Sequence, residues 1–143
     1  MIKFLGLDFI KISKSKLKTS LYDLVEGKEG YSIDRIVYNF ISIKKIIQIN
    51  KEFLSHNNET DIITFDYTEN KKISAEVFIS KATLKKNALQ NSQSPENETI
   101  RLVFHGLLHC LGYKDKTDKQ KEIMRSKEDQ LIKRFHVKQT QNV

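Results

Sequence analysis

The chain has 143 residues, of which 38% are apolar and 30% are charged, a balance that fits one globular domain and excludes a disordered chain. Its single cysteine, Cys110, excludes an internal disulfide framework, and no segment has the length expected of a membrane span. The net charge of +7 is compatible with a polyanionic partner and equally with a lysine-rich solvated surface.

The positive charge is concentrated in two parts of the chain. Residues 101–143 contain ten Lys or Arg and five Asp or Glu, and a second basic cluster lies near the start. This second cluster consists of Lys11, Lys14, Lys16 and Lys18. The opening segment is interrupted by charges and lacks a cleavage site, so it is typical of a strand rather than a signal peptide. We therefore expect a cytoplasmic protein without a membrane segment.

The first half of the chain predicts strands and helices in alternation. Residues 2–9 predict an edge or partner strand, and leucines at helical spacing predict a helix from Lys14 to about Glu26. The alternating segment YSIDRIVYNF predicts a strand. Ser42 is expected to cap the next helix, in which Ile43, Ile46, Ile47, Asn50 and Leu54 are in helical register on one face.

The second half predicts two strands followed by three helices. The segments TDIITFDY and KISAEVFIS predict the strands, and Ser80 is expected to cap the helix that follows them. A helix ending before Gly112 and another over about Lys119–Phe135 complete the pattern, with a frayed tail at about 137–143. The expected fold is α+β, in which about four strands of a mixed sheet pack against about five helices in a single domain, 1–143.

The segment IRLVFHGLLHCLGYKD, residues 100–115, carries the strongest functional signal. Ser94 and Pro95 are the expected cap and first residue of its helix, which is apolar around most of its circumference. Arg101, His105 and His109 form the one polar strip, each four residues from the next. Gly106 costs roughly 1 kcal/mol in a helix relative to alanine, so we expect a close backbone approach or free space there.

This spacing predicts a metal site. Histidines four apart on a helix place their side chains roughly 5–6 Å apart at Cβ, so that both imidazoles can reach one ion. Gly112 can end the helix in a left-handed conformation and return Asp115 to the same point as a third ligand. Two buried histidines without partners would cost free energy, and a metal supplies a partner.

Other interpretations of these residues remain open. A buried histidine is usually a hydrogen-bonded core residue, and two histidines four apart often occur by chance. Cys110 points about 100° away from His109 on the helix, so we assign it to the core. His136 near the end of the chain and His56 in a polar loop are expected at the surface, although His56 stays open as a fourth ligand.

These residues resemble the bacterial YbeY family of rRNA-maturation endoribonucleases. The family motif H-G-x-L-H-x-x-G-Y-x-H is matched by HGLLHCLGYKD, with Asp115 at the position of the third histidine. Upstream, INKEFLSHNNETDIITF is similar to a second family motif through Asn50, Thr60, Asp61 and Phe65. AEVFIS resembles a family strand, with Glu76 at the position of an aspartate. The resemblance spans roughly residues 33–135.

The resemblance implies an α+β fold, one Zn²⁺ per chain, and cleavage of single-stranded RNA in the maturation and quality control of ribosomal RNA. It implies His105, His109 and Asp115 as zinc ligands, with ribosomal particles as a further class of partner. A family arginine falls on Leu54, so Arg101 is the candidate for binding RNA phosphate, the alternative being a salt bridge to Glu96 or Glu98. No side chain is assigned as general base; the expected nucleophile is a water molecule activated by zinc.

Two other functions are compatible with these motifs. One is a non-catalytic RNA-binding ribosome assembly factor with a structural metal, which a fourth protein ligand would favour. The other is a metzincin-like zinc protease. Zinc proteases with the motif H-E-x-x-H carry a catalytic glutamate after the first histidine, where this chain has Gly106. Met124 could suggest the methionine turn of a metzincin, but its helical stripe favours a core position.

Overall fold

The computed structural model describes residues 1–54 and 60–141. The loop containing His56 therefore lies outside the described residues. The described elements are β1 (Ile2–Leu5), a short 3-10 helix (Leu7–Phe9), α1 (Lys14–Glu26), β2 (Ser32–Ile41), α2 (Ile43–Leu54), β3 (Ile62–Asp66), β4 (Lys72–Ser80), α3 (Lys81–Gln90), α4 (Pro95–Cys110) and α5 (Asp118–Gln141). Among these, no helix is both long and apolar enough to span a bilayer.

The four strands form one mixed sheet in the order β1-β2-β4-β3. β1 pairs with β2 and β2 with β4 in parallel, whereas β3 runs antiparallel to β4 at the edge. The predicted α+β fold with a mixed sheet of four strands and five α-helices is confirmed. β1 is an edge strand, one of the two alternatives predicted for residues 2–9, but it ends at Leu5, and Leu7–Phe9 form the 3-10 helix.

The two faces of the sheet are covered by different helices. Ile73, Ala75, Val77 and Ile79 of β4 alternate onto the face that packs against α4 and belong to the main core. The other face is smaller, and there α2 packs Ile46 and Ile49 against β3. α4 is buried along nearly its whole length, as its continuous apolar surface predicted.

Serine caps begin three of the helices at the predicted residues. The side chains of Ser42, Ser80 and Ser94 accept hydrogen bonds from the backbone three residues later, at distances of 3.2, 3.2 and 3.0 Å. Each bond satisfies one of the free N–H groups of a helix start. The predicted helix starts therefore agree with the structure.

Some predicted buried positions are exposed. Leu54 was placed in the apolar stripe of α2, yet it is 44% exposed, and Ile49 is buried there instead. Ile123 was assigned to the apolar side of α5 and is 49% exposed, whereas Met124 is buried as a core residue.

The α5 helix continues to Gln141, into the segment for which a frayed tail was expected.

Candidate metal centre and cleft

Gly112 ends α4 and turns the chain back toward the histidines. Its φ of +99° lies in the left-handed region that favours glycine, as predicted. The N–H of Gly112 donates to the carbonyl of His109 and the N–H of Tyr113 to that of Leu108, both at 3.0 Å. These two bonds form a Schellman motif. The turn places Asp115 beside the helix that it has just left.

Three acceptor atoms converge at this point. The Nε2 atoms of His105 and His109 are 3.0 Å apart, and Oδ2 of Asp115 lies 3.4 and 3.5 Å from them. Among the described residues, these are the one group of three or more His, Cys, Asp or Glu that could hold a metal ion. The structure therefore brings together the three residues predicted as ligands.

The second nitrogen of each imidazole has its own hydrogen-bond partner. Nδ1 of His105 lies 2.6 Å from Oε2 of Glu128, and Nδ1 of His109 lies 3.1 Å from the carbonyl oxygen of Tyr113. Both partners accept, so each Nδ1 donates its proton to them, and a neutral ring held in this way presents the lone pair of Nε2 to the centre. Two such lone pairs and a carboxylate oxygen facing one another form a group that could hold a cation.

The donor set fits zinc. Bonds of about 2.0–2.1 Å at tetrahedral angles place two zinc ligands roughly 3.3–3.4 Å apart, close to the spacings seen here. The side chains of His105, His109 and Asp115 are 17%, 30% and 39% exposed, so the group opens toward solvent on one side. Three protein donors with an open side are typical of a catalytic rather than a structural zinc site.

Glu128 is a site residue that sequence reasoning missed. It is 3% exposed, and its two oxygens contact His105 and Arg101. The sequence does contain a pattern that points to Glu128, because this residue lies four positions after Met124 and three before Leu131, both buried residues of α5. A charged residue within a buried stripe indicates a buried ionic partner.

Arg101 is held by carboxylates. Its Nη1 donates to Oε1 of Glu128 at 3.0 Å and its Nη2 donates to Oδ1 of Asp129 at 2.7 Å, while its Nε is 4.0 Å from Oε2 of Glu98. With a side chain only 8% exposed, Arg101 lines the base of the cleft rather than its mouth. This geometry favours the ion-pair interpretation of Arg101 over phosphate binding. The predicted partner Glu98 is one of three carboxylates near Arg101, together with Glu128 and Asp129.

Charge and burial shift the pKa values of several groups in the cleft. Burial lowers the pKa of His105, but the hydrogen bond and charge of Glu128, with smaller contributions from Asp115 and Asp61, raise it above its ordinary value. Burial raises the pKa of Asp61, whose Oδ2 accepts a hydrogen bond from Asn87 at 3.3 Å. Burial also raises the pKa of Glu98, against the opposing charge of Arg101.

The remaining candidate ligands do not join the described site. Cys110 is buried, and burial raises the pKa of its thiol to about 12, so it stays protonated at neutral pH. Nε2 of His136 lies 2.6 Å from Oδ1 of Asn97, at the opposite end of α4 from His109. His56 lies outside the described residues.

The three donors lie in a cleft of about 1260 Å³ between α4, α5 and β3. Thr64 and Asp66 of β3 line one wall, and the segment from Gly112 to Lys116 lines another. At Gly106, helix and sheet approach closely, because a Cβ there would lie 3.3 Å from Cγ2 of Val77. The predicted close approach at Gly106 is thus a packing contact between α4 and β4.

Comparisons with known proteins point to one family. A family model described as Endoribonuclease YbeY matches residues 8–136. The Endoribonuclease YbeY of Cytophaga hutchinsonii is 45% identical over 117 residues, 81% of this chain and 81% of that protein. That of Flavobacterium johnsoniae is 46% identical over 114 residues, 80% of this chain and 79% of that protein. A solution structure from Thermotoga maritima is similar at a TM-score of 0.68 and 25% identity, covering 99% of this chain and 93% of that one.

Proposed function

Because the chain belongs to the YbeY endoribonuclease family, we propose that it is a metal-dependent endoribonuclease that cleaves single-stranded RNA. We further propose that it acts in the cytoplasm, in the maturation and quality control of ribosomal RNA, with ribosomal particles among its partners. In this proposal the whole chain forms a single metal-dependent hydrolase domain.

The convergence of three acceptor atoms carries the proposal. His105, His109 and Asp115 would hold one Zn²⁺, and their Nε2 and Oδ2 atoms already lie 3.0–3.5 Å apart. When bound, zinc supplies a Lewis acid that acidifies a water molecule and offsets negative charge on a phosphodiester. The open side of the group leaves room for that chemistry.

The chain's own groups orient the donors. Oε2 of Glu128 accepts a hydrogen bond from Nδ1 of His105 and so keeps the proton on that nitrogen. The carbonyl of Tyr113 does the same for Nδ1 of His109. Arg101 in turn holds Oε1 of Glu128, so Glu128 cannot rotate away without losing an ion pair. These contacts fix both ring orientations before any ion binds, which reduces the entropy cost of assembling the site.

Asp61 is our candidate proton acceptor. It lines the same cleft as His105, and burial raises the pKa of its carboxyl, which brings it closer to the range useful for proton transfer at neutral pH. Its Oδ2 is oriented by Asn87, and no ion pair to Asp61 occurs among the described residues. Glu128 is less suited to this role because both of its oxygens are engaged.

The site favours the nuclease over the two other functions. Gly106 follows His105, so the protease glutamate is absent, and a Cβ at this position would lie 3.3 Å from Cγ2 of Val77, so that a larger residue would require the Val77 side chain to shift. A structural metal would be favoured by a fourth protein ligand, and the group found among the described residues has three.

A cleavage assay tests the proposal. Zinc-loaded protein, incubated with an end-labelled unstructured RNA and with casein, is expected to cut the RNA and spare the casein, and EDTA is expected to stop the cut. His105→Ala should be inactive, whereas His136→Ala, which changes a histidine outside the site, should keep activity. Casein cleavage without RNA cleavage would support the protease. Metal binding without cleavage of either substrate would support the assembly factor.

A further inference from the structure

Exposed cations surround the mouth of the cleft. Lys114 and Lys116 flank Asp115 in sequence and are exposed, whereas the Asp115 side chain turns inward to the imidazoles. Lys121 and Arg125, four residues apart on α5, line the same cleft and are exposed as well. Four cationic side chains are therefore placed around the third donor.

These cations are available to a ligand, in contrast to Arg101. Lys114, Lys116 and Lys121 form no ion pair with any residue in the described parts of the chain. Arg125 is 51% exposed and approaches Oε1 of Glu128 only at 3.9 Å. An exposed contact of this length contributes little to stability and can be exchanged for a phosphate.

A second groove continues the cleft along α5. It has a volume of about 410 Å³ and shares Tyr113 and Glu122 with the cleft. Lys119 and Lys127 line this groove, so the line of cations continues past the metal donors. Glu122, between the two cavities, is the acidic side chain common to both linings.

We propose that the cleft mouth and this groove form one continuous phosphate-binding track for single-stranded RNA, with Lys114, Lys116 and Lys121 as its central contacts. This inference rests on the proposed function. An RNA backbone carries one negative charge per nucleotide, and cations spaced along a groove bind it by releasing counterions.

The test compares two triple variants with the same loss of charge. One is Lys114→Gln, Lys116→Gln and Lys121→Gln in the track. The other is Lys3→Gln, Lys44→Gln and Lys45→Gln, exposed residues of β1 and α2. Binding of a fluorescent, unstructured 2′-O-methyl RNA to the metal-loaded proteins is measured over a range of salt concentrations, and a gel confirms that the RNA stays intact.

For the track variant, removing three phosphate contacts should reduce the slope of log Kd against log salt by about two and raise Kd at 0.1 M salt about tenfold or more. The control variant should stay within twofold of wild type. An unchanged slope in the track variant, or an equal loss in the control variant, would overturn the track. Cleavage of unmodified RNA by the wild-type protein is measured in a separate assay. If the track binds RNA as expected but the protein does not cut RNA, the proposed function is refuted and the track is not.

Discussion

Each imidazole of the candidate site uses one ring nitrogen for orientation and leaves the other for a cation. Glu128 and the carbonyl of Tyr113 accept from the two Nδ1 atoms, so the two Nε2 atoms face each other at 3.0 Å. Without a cation, two lone pairs at this distance repel unless a proton lies between them. The arrangement is therefore suited to binding a cation.

Glu128→Gln is expected to lower Zn²⁺ affinity roughly 10–100-fold at pH 8, the usual effect of losing a carboxylate behind a metal-bound histidine. Glu128 raises the pKa of His105, so protons compete with zinc at a higher pH in wild type than in the variant. The affinity ratio should therefore shrink as pH falls from 8 through the raised pKa of His105 toward the ordinary value of about 6.5. Competition titrations with a zinc chelator at several pH values measure this ratio.

Asp129→Asn is the matched control, because Asp129 also binds Arg101 but does not contact His105. Its zinc affinity should equal that of wild type at every pH. Equal losses of zinc affinity in Glu128→Gln and Asp129→Asn would mean that Glu128 affects zinc binding only through Arg101 and the stability of the fold.

Arg101→Ala is expected to destabilise the protein by about 3–5 kcal/mol, because it leaves the buried Glu128 carboxylate without its cation. Arg125→Ala, which removes an exposed cation near the same oxygen, should cost about 0–1 kcal/mol. Urea unfolding of both metal-free variants gives the two free energies. A loss below about 1 kcal/mol for Arg101→Ala would contradict a buried ion pair.

Asp61→Asn is expected to lower kcat for RNA cleavage by about 10²–10⁴, the usual contribution of a general base, while zinc content stays unchanged. The substitution keeps the size of the side chain, which accepts a hydrogen bond from Asn87. Single-turnover cleavage and elemental analysis separate the two effects. Activity like that of wild type would remove Asp61 from the reaction.

The convergence of His105, His109 and Asp115 could be predicted from the sequence because it follows from local geometry, namely one helical turn and one glycine turn. Glu128 and the pairing of Arg101 could not be deduced in this way. The ion pair between them joins residues 27 positions apart on different helices, so it depends on how α4 packs against α5. The spacing of apolar residues along each helix does not specify how two helices pack against each other.

Gly112 links the end of α4 to the metal donors, and Gly112→Ala tests that link. At a φ of +99° a Cβ is strained, so we expect a loss of about 1–2 kcal/mol in stability and weaker zinc binding through a displaced Asp115. Gly27→Ala, at a φ of −72°, should be neutral or stabilising by about 0.4–1 kcal/mol. Thermal unfolding and zinc titration check both variants. Gly112→Ala with the stability and affinity of wild type would contradict the turn.

Helix starts were predictable because serine caps act within three residues of the start. Exposure was less predictable, as Leu54 and Ile123 show. Both lie at the edge of an apolar stripe, where burial depends on whether a neighbouring element reaches that far. On α2 the sheet face covers Ile46 and Ile49, whereas Leu54 at its end is 44% exposed.

The cleft is a product of the complete chain topology. β3 occupies the edge of the sheet antiparallel to β4, so its Thr64 and Asp66 face the cleft across from α4. α5 closes the third side and contributes both Glu128 at the base and cations at the mouth. The mixed class of the sheet was predictable from the element order, but the strand order β1-β2-β4-β3 was not, because pairing depends on contacts between distant segments.

Zinc stoichiometry, measured by elemental analysis of purified and dialysed protein, tests the three-donor site most directly. We expect one zinc per chain in wild type, in His136→Ala and in Asp115→His, reduced content in Asp115→Ala, and none in His105→Ala or His109→Ala. Wild-type protein without metal, or His105→Ala and His109→Ala with full zinc content, would contradict the site and with it the proposed hydrolytic chemistry.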